Sequence, residues 1–195
     1  MPSLLQSLPF RAGVSVLVTG IVVAIGVLRT CPAPQPPADP LAGRLASADT
    51  TAMTVRRAGF CDGLTPAARA ALGGAIASRA SWKPGDRTQL APDVTDIADE
   101  FGCAWTSASG AVARAWVFAP PVTRARAVEL AAAKPAASCR PVTMPAFGAP
   151  TSALTCGDTT VVRGLFGDAW LSCSLASSDL DLVGRWCLAV ARAAS

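Results

Sequence analysis

An uncharged apolar run that begins at Ala12 and ends at Leu28 constrains this chain more than any other feature. The run lies between Arg11 and Arg29. Its length matches the short end of the range of about 17 to 25 apolar residues that a membrane-spanning helix needs. We therefore expect residues 12–28 to form a single transmembrane anchor, with residues 1–11 in the cytoplasm and the remainder of the chain outside.

Two alternatives to an uncleaved anchor also place the rest of the chain outside the cytoplasm. A cleavable signal peptide would need a small-x-small site close behind the run, whereas the nearest one, at residues 46–48, lies far downstream. A lipoprotein would be acylated at Cys31, but Arg29 and Thr30 depart from the small residues expected before such a cysteine. We therefore expect an uncleaved anchor.

Cysteine usage supports an extracytoplasmic location. The chain holds seven cysteines, six of them beyond residue 60, and no Cys-x-x-Cys motif or histidine. Such a set favours disulfides in an oxidising compartment over a metal site or a redox motif. Six cysteines allow 15 pairings, and we expect sequence neighbours to pair: Cys61 with Cys103, Cys139 with Cys156, and Cys173 with Cys187.

Residues 29–54 and 55–195 differ in composition. The first segment carries five prolines between residues 32 and 40, which favours an extended linker. The second has the size of one domain and carries 14 Lys and Arg against 11 Asp and Glu, a net charge of +3. Its basic residues are scattered, whereas a nucleic-acid-binding domain has a basic stripe. We expect no nucleic-acid partner.

The pattern of apolar residues after residue 60 alternates between helical and strand-like segments. Prolines and glycines separate these segments, and hydroxyl or carboxylate side chains stand where helices begin. Their order predicts an α+β fold, with helices over one face of an antiparallel sheet. The predicted elements are a helix capped by Thr65, strands at 101–106 and 111–119, a helix capped by Thr123, strands at 152–156, 160–164 and 169–175, and a helix opening near Asp179.

The usual signs of catalysis are missing from the sequence. The sequence contains no His, Tyr or Asn. It also lacks the motifs of a nucleophile elbow and of a phosphate-binding loop. The one acidic cluster matches no calcium loop, so we interpret it as solvated surface: Asp93, Asp96, Asp99 and Glu100. We expect no catalytic residue, no bound metal and no cofactor.

Four residues are candidates for a ligand site or a turn. Asp168 follows two glycines beside aromatic residues, where a carboxylate can cap a turn or meet a ligand. The simplest interpretation of the tryptophans is that they belong to the hydrophobic core. An indole at the edge of a cleft can also bind an apolar ligand. The candidates are Asp168, Trp170, Trp105 and Trp116.

Three short motifs follow one another along the chain: Phe60-Cys61-Asp62-x-Leu64-Thr65, Gly102-Cys103-Ala104-Trp105 and Gly164-Leu165-Phe166-Gly167-Asp168-Ala169-Trp170. Together they resemble exported envelope domains of unknown function from actinobacteria, which are lipoproteins or single-span proteins akin to extracellular sensor domains of some mycobacterial kinases. The chain departs from these domains in lacking a lipoprotein motif at Cys31 and in carrying an extra cysteine pair near the C-terminus. The resemblance implies an envelope location and no catalytic residues.

These observations favour a non-enzymatic, membrane-anchored domain that binds an envelope ligand or a partner protein. A lipid-like or cell-wall ligand would lie in a hydrophobic cleft of the sheet. The alternative is an envelope hydrolase that uses Asp168 with Asp158, which requires two carboxylates about 5 to 9 Å apart. A third interpretation is a structural accessory of a membrane complex, which would show an exposed apolar patch and no pocket.

Overall fold

The computed structural model describes residues 38–91 and 94–195. The predicted cytoplasmic segment at 1–11, the predicted anchor at 12–28 and Cys31 lie outside these residues. Within the described part of the chain, no helix combines the length and the apolar character that a membrane crossing needs. Asp39–Ser195 forms one compact unit.

An antiparallel sheet of seven strands dominates this unit, in the spatial order β1-β4-β5-β9-β8-β7-β6, and β2 and β3 form a separate hairpin. Three short 3-10 helices precede the first α-helix, at Leu45–Ser47, Thr50–Ala52 and Cys61–Leu64. The α-helices are α1 (Thr65–Ala71), α2 (Arg124–Ala132) and α3 (Leu180–Ala194). The strands are β1 (Ile76–Trp82), β2 (Arg87–Ala91), β3 (Val94–Ile97), β4 (Glu100–Ser107), β5 (Val112–Phe118), β6 (Cys139–Pro141), β7 (Thr151–Cys156), β8 (Thr159–Phe166) and β9 (Ala169–Leu175).

The two faces of the sheet carry different side chains, because successive residues of a strand point in opposite directions. On β9, Leu171 and Cys173 belong to the main core, together with residues of α1 and α3. Trp170 points the other way and belongs to a smaller cluster with Ala127 of α2 and Leu165 of β8. We call the two sides the core face and the second face.

The prediction of an α+β fold with an antiparallel sheet is confirmed, but the placement of all helices over one face is wrong. Helices α1 and α3 cover the core face, whereas α2 packs on the second face. The physical reason is that Leu165 and Trp170 are directly paired across β8 and β9 on the second face. These large apolar side chains must also be buried from water, and α2 packs on them.

All five predicted strands are present, as β4, β5, β7, β8 and β9, with shifted ends in most cases. Four further strands were not predicted. β1 exposes most of its residues and lacks an apolar alternation, β2 and β3 pair only with each other, and β6 has three residues. Hydrophobic periodicity detects strands that bury one face, so these edge and hairpin strands gave no signal.

The linker predicted at 29–54 extends too far toward the domain. Leu41 and Leu45 are 5% and 3% exposed and belong to the main core. Thr50 is also buried, and its hydroxyl donates to the carbonyl of Ala146 at 2.8 Å and accepts from the backbone N–H of Gly148 at 3.1 Å. Burial of these side chains makes residues 39–54 part of the folded unit.

Two of the three predicted helix caps are confirmed. The Thr123 hydroxyl accepts from the backbone N–H of Arg126, and the Asp179 carboxylate accepts from two N–H groups in the first turn of α3. The cap predicted at Thr65 is wrong, because the preceding 3-10 helix runs directly into α1. The Thr65 hydroxyl instead accepts a hydrogen bond from the indole N–H of Trp105 at 3.2 Å.

The three disulfides join the expected sequence neighbours. Cys61 before α1 bonds to Cys103 on β4. Cys139 and Cys156 face each other on β6 and β7. The third bond, between Cys173 and Cys187, joins β9 to α3, and both of its cysteines are fully buried. The sheet is therefore fastened to both of the helical segments that cover its core face.

Candidate functional site

A groove of about 610 Å³ lies on the second face, across the middle strands of the sheet. Its floor is formed by side chains of β5, β9 and β8, and its ends by the β2–β3 hairpin and the β7–β8 turn. The volume falls within the range of about 300 to 1,000 Å³ that small-molecule sites occupy. The lining residues are Gln89, Val112, Arg114, Trp116, Cys156, Asp158, Thr159, Val161, Arg163, Ser172 and Ser174.

Strand register places two arginines diagonally across the floor. Arg114 on β5 is paired with Ser174 on β9, and Ser172 on β9 is paired with both Trp116 on β5 and Arg163 on β8. From strand spacing of about 4.8 Å and a rise of about 3.4 Å per residue, their Cα atoms are roughly 12 Å apart. Each guanidinium can therefore approach a ligand that lies over the serine hydroxyls between them.

Arg114 is held by its neighbours at one end of the groove. Its guanidinium lies 5.5 Å from the centre of the Trp82 ring and donates through Nη2 to the carbonyl of Gln89 at 3.3 Å. Burial lowers the pKa of Arg114, and the negative charge of Glu100 opposes that shift. An arginine remains protonated at physiological pH, so Arg114 presents a fixed positive charge.

Arg163 is the second cation of the floor. It lies half-buried on β8, and burial lowers the pKa of its guanidinium. No side chain or carbonyl within residues 38–91 and 94–195 forms an ion pair or a hydrogen bond with it. Asp158, which also lines the groove, is five residues away along the chain, and its Oδ1 accepts from the Thr159 hydroxyl. A ligand anion would give Arg163 the partner that the described protein groups do not.

Glu100 was interpreted as solvated surface from its acidic neighbours, and this interpretation is wrong. It is only 8% exposed, and its carboxylate accepts from the indole N–H of Trp82 at 3.3 Å. Trp82 lies flat over Gly102, where any side chain would collide with the indole. Desolvation by burial raises the pKa of Glu100. The signal available in the sequence was the alternation of β4, which places Glu100 and Gly102 on the same face.

Glu100→Gln is expected to become progressively more stable than the wild type as the pH rises. Because the pKa of Glu100 is raised in the folded state, that state binds more protons than the unfolded chain. The free energy of unfolding of the wild type therefore falls as pH rises from the ordinary pKa through the raised one. Glutamine does not ionise, and its amide oxygen still accepts from Trp82. Melting curves of both proteins between about pH 4 and 8 check this, and a pH-independent difference in Tm would contradict it.

Asp168 lies in the two-residue turn between β8 and β9. Its carboxylate forms an ion pair with Arg57 at 3.2 Å, and its side chain is 58% exposed. Its backbone carbonyl accepts from the N–H of Val122. The ion pair joins the turn to the segment before α1, the hydrogen bond joins it to the segment that leads into α2, and Asp168 does not line the groove.

The structure does not bring Asp158 and Asp168 together. Asp158 lies in the turn that precedes β8, and Asp168 lies in the turn that follows it. Eight residues of extended strand separate the two turns, so their backbones are about 25 Å apart. The separation of about 5 to 9 Å that paired glycosidase carboxylates need is not met by these two residues.

The three candidate tryptophans have different environments. Trp105 is fully buried in the main core, where it makes an edge-to-face contact with Trp186 at 5.7 Å between ring centres. Trp170 is 1% exposed and lies in the cluster beneath α2. Only Trp116 lines the groove, stacked at a tilt against Phe118. The groove-lining residues that sequence reasoning did not select are Arg114, Arg163, Ser172 and Ser174.

The groove is suited to binding an anion that also carries an apolar part. Its floor combines two guanidiniums and two hydroxyls with the apolar surfaces of Trp116, Val112 and Val161. In the described part of the chain, no three His, Cys, Asp or Glu side chains come together as a metal site. Comparison of the chain with known protein families, with curated proteins and with solved structures gives no match.

Proposed function

We propose that this chain is a membrane-anchored, extracytoplasmic and non-enzymatic domain that binds a small anionic ligand of the cell envelope in its groove. The observation that carries the proposal is Arg163, a half-buried cation in the groove floor that forms no ion pair or hydrogen bond with the residues the structure describes. The apolar run at 12–28 supports the anchor, and the three disulfides support an oxidising compartment.

Electrostatics and hydrogen bonding favour a ligand with one acidic group. Arg163 is half-buried, so an anion that pairs with it gains a charge-assisted hydrogen bond that is partly shielded from water. The hydroxyls of Ser172 and Ser174 lie on the floor between the two arginines and add two uncharged donors. The indole of Trp116 offers a flat surface for the apolar part of the ligand.

Titration with a matched pair of probes tests this function. The full-length chain in nanodiscs of zwitterionic lipid is titrated by calorimetry with 1-naphthalenesulfonate and with uncharged 1-naphthalenesulfonamide, against empty nanodiscs. We expect the sulfonate to bind about tenfold more tightly, because a hydrogen bond to a charged group contributes about 1.5 to 3 kcal/mol. Arg163→Gln should weaken sulfonate binding by a similar factor.

Arg140→Gln provides the matched control. Arg140 is an exposed arginine on β6, and it lies outside the groove. The substitution makes the same change in net charge, so it should leave the affinity for the sulfonate unchanged. Equal affinities for the two probes, an unchanged affinity in Arg163→Gln or no binding of the sulfonate would each contradict the proposed function.

A further inference from the structure

A second cavity, the α2 cavity, opens beside the groove on the same face of the sheet. It has a volume of about 220 Å³ and lies between the C-terminal end of α2 and strands β6, β7 and β8. Cys156, Val161 and Arg163 line both the groove and this cavity. The two spaces are therefore neighbours on either side of the same side chains of β8.

The lining of the α2 cavity is mainly aliphatic. Its apolar lining includes Leu130, Ala131, Pro135, Leu154 and Val161, together with the Cys139–Cys156 disulfide, and its polar lining consists of Lys134, Ser152 and Arg163. No aromatic side chain lines it, whereas Trp116 lines the groove. Alkyl groups bury well against the aliphatic part of this surface.

The sizes of the two spaces suit one extended ligand. The α2 cavity alone is smaller than the range of about 300 to 1,000 Å³ typical of small-molecule sites, and the groove alone lies within it. Since Arg163 lines both, a ligand whose charged end meets this guanidinium can extend its other end under α2. The α2 cavity is then an extension of the groove.

We infer that the ligand is a single-chain fatty carboxylate, with its carboxylate at Arg163 in the groove and its alkyl chain in the α2 cavity. This inference rests on the proposed function of the groove. A guanidinium presents parallel N–H donors that match the two oxygens of a carboxylate. A cavity of about 220 Å³ leaves room for one short alkyl chain and not for two, which favours a fatty acid over a two-chain phospholipid.

Photocrosslinking of the full-length chain in zwitterionic nanodiscs tests the inference. The probe is an octanoic acid with a diazirine in its alkyl chain, and labelled peptides are identified by mass spectrometry. We expect the label in peptides that contain residues 130–136 and 151–156. The corresponding fatty alcohol with the same diazirine should label these peptides about tenfold less, because it lacks the charge. The alkyl phosphate with the same diazirine serves as the competing anionic headgroup.

Two variants with a matched control test the position of the chain. Ala133→Trp adds bulk at the exposed rim of the α2 cavity and should abolish labelling there, while binding of naphthalenesulfonate persists. Ala132→Trp changes an exposed alanine on the same helix that does not line the cavity, and it should label as the wild type does. Arg163→Gln should reduce labelling by the acid to the level of the alcohol.

The outcomes separate this inference from the proposed function. Absence of label in the two peptides, or equal labelling of Ala133→Trp and the wild type, would overturn the fatty carboxylate assignment. Stronger labelling by the alkyl phosphate than by the acid would overturn it too. If naphthalenesulfonate still binds in those cases, the groove keeps its function as an anion site. If the sulfonate also fails to bind, both proposals fail.

Discussion

Reduction of the three disulfides is expected to unfold the domain near body temperature. In the chain-entropy model, a disulfide that closes a loop of 14 or 17 residues contributes about 3 kcal/mol, and one that closes 42 residues contributes about 4 kcal/mol. Their sum of about 10 kcal/mol equals the whole net stability of many domains, which is about 5 to 15 kcal/mol. Near-UV circular dichroism melting curves with and without reductant measure the effect.

The three disulfides should not contribute equally to the free energy of unfolding. Cys173 and Cys187 are fully buried between β9 and α3, whereas Cys139 and Cys156 are half-buried at the edge of the sheet. Edge segments open locally at lower free energy than the core. Replacing Cys173 and Cys187 by alanine should therefore lower the Tm by roughly 6 to 12 °C.

The paired variant Cys139→Ala/Cys156→Ala is the matched control, because its loop length is almost the same. We expect a smaller decrease in Tm for this edge pair. An unchanged melting curve of the wild type in reductant would refute the stabilising role of the disulfides. Equal decreases in Tm for the two variants would refute the argument from burial.

Trp105→Ala is expected to lower stability strongly, whereas Trp116→Ala should mainly weaken ligand binding. Trp105 is fully buried, contacts Trp186 and donates to Thr65. Removing such a side chain leaves a cavity and costs about 3 to 5 kcal/mol, which corresponds to a decrease in Tm of roughly 10 °C. Trp116 is partly exposed on the groove floor, so its replacement should cost about 1 kcal/mol.

The two variants are compared by thermal melting and by titration with 1-naphthalenesulfonate. Loss of the indole of Trp116 removes its aromatic contact with the probe, and we expect about a tenfold lower affinity. Trp105→Ala, measured at a temperature where it is folded, should retain the affinity of the wild type. Similar affinities for Trp116→Ala and the wild type would contradict the placement of the ligand over this ring.

Much of the domain could be predicted from local sequence. The strands that bury one face, the two Gly-Asp turns of the C-terminal strands and the caps at Thr123 and Asp179 follow from alternation, from the freedom of glycine and from short polar side chains. The cysteine pairs also followed chain order. Edge strands such as β1 were missed because they bury too little apolar surface to leave a pattern.

The candidate site was predicted less well, because it depends on strands that are distant in sequence. Trp116 was selected, but Trp105 and Trp170 have the same side chain and differ only in where the fold buries them. Arg114 and Arg163 were not selected, because no sequence motif distinguishes an arginine on a groove floor from one on a solvated surface.

The sequence by itself determined the class of fold, the disulfide content and the lack of familiar catalytic groups, since these depend on composition and on short-range patterns. The tertiary structure decided which face of the sheet α2 covers and which residues share a groove. Arg114 and Arg163 lie on opposite sides of Ser172 and Ser174 in one groove only because β9 lies between β5 and β8. That strand order arises from packing of the whole core, and no local segment specifies it.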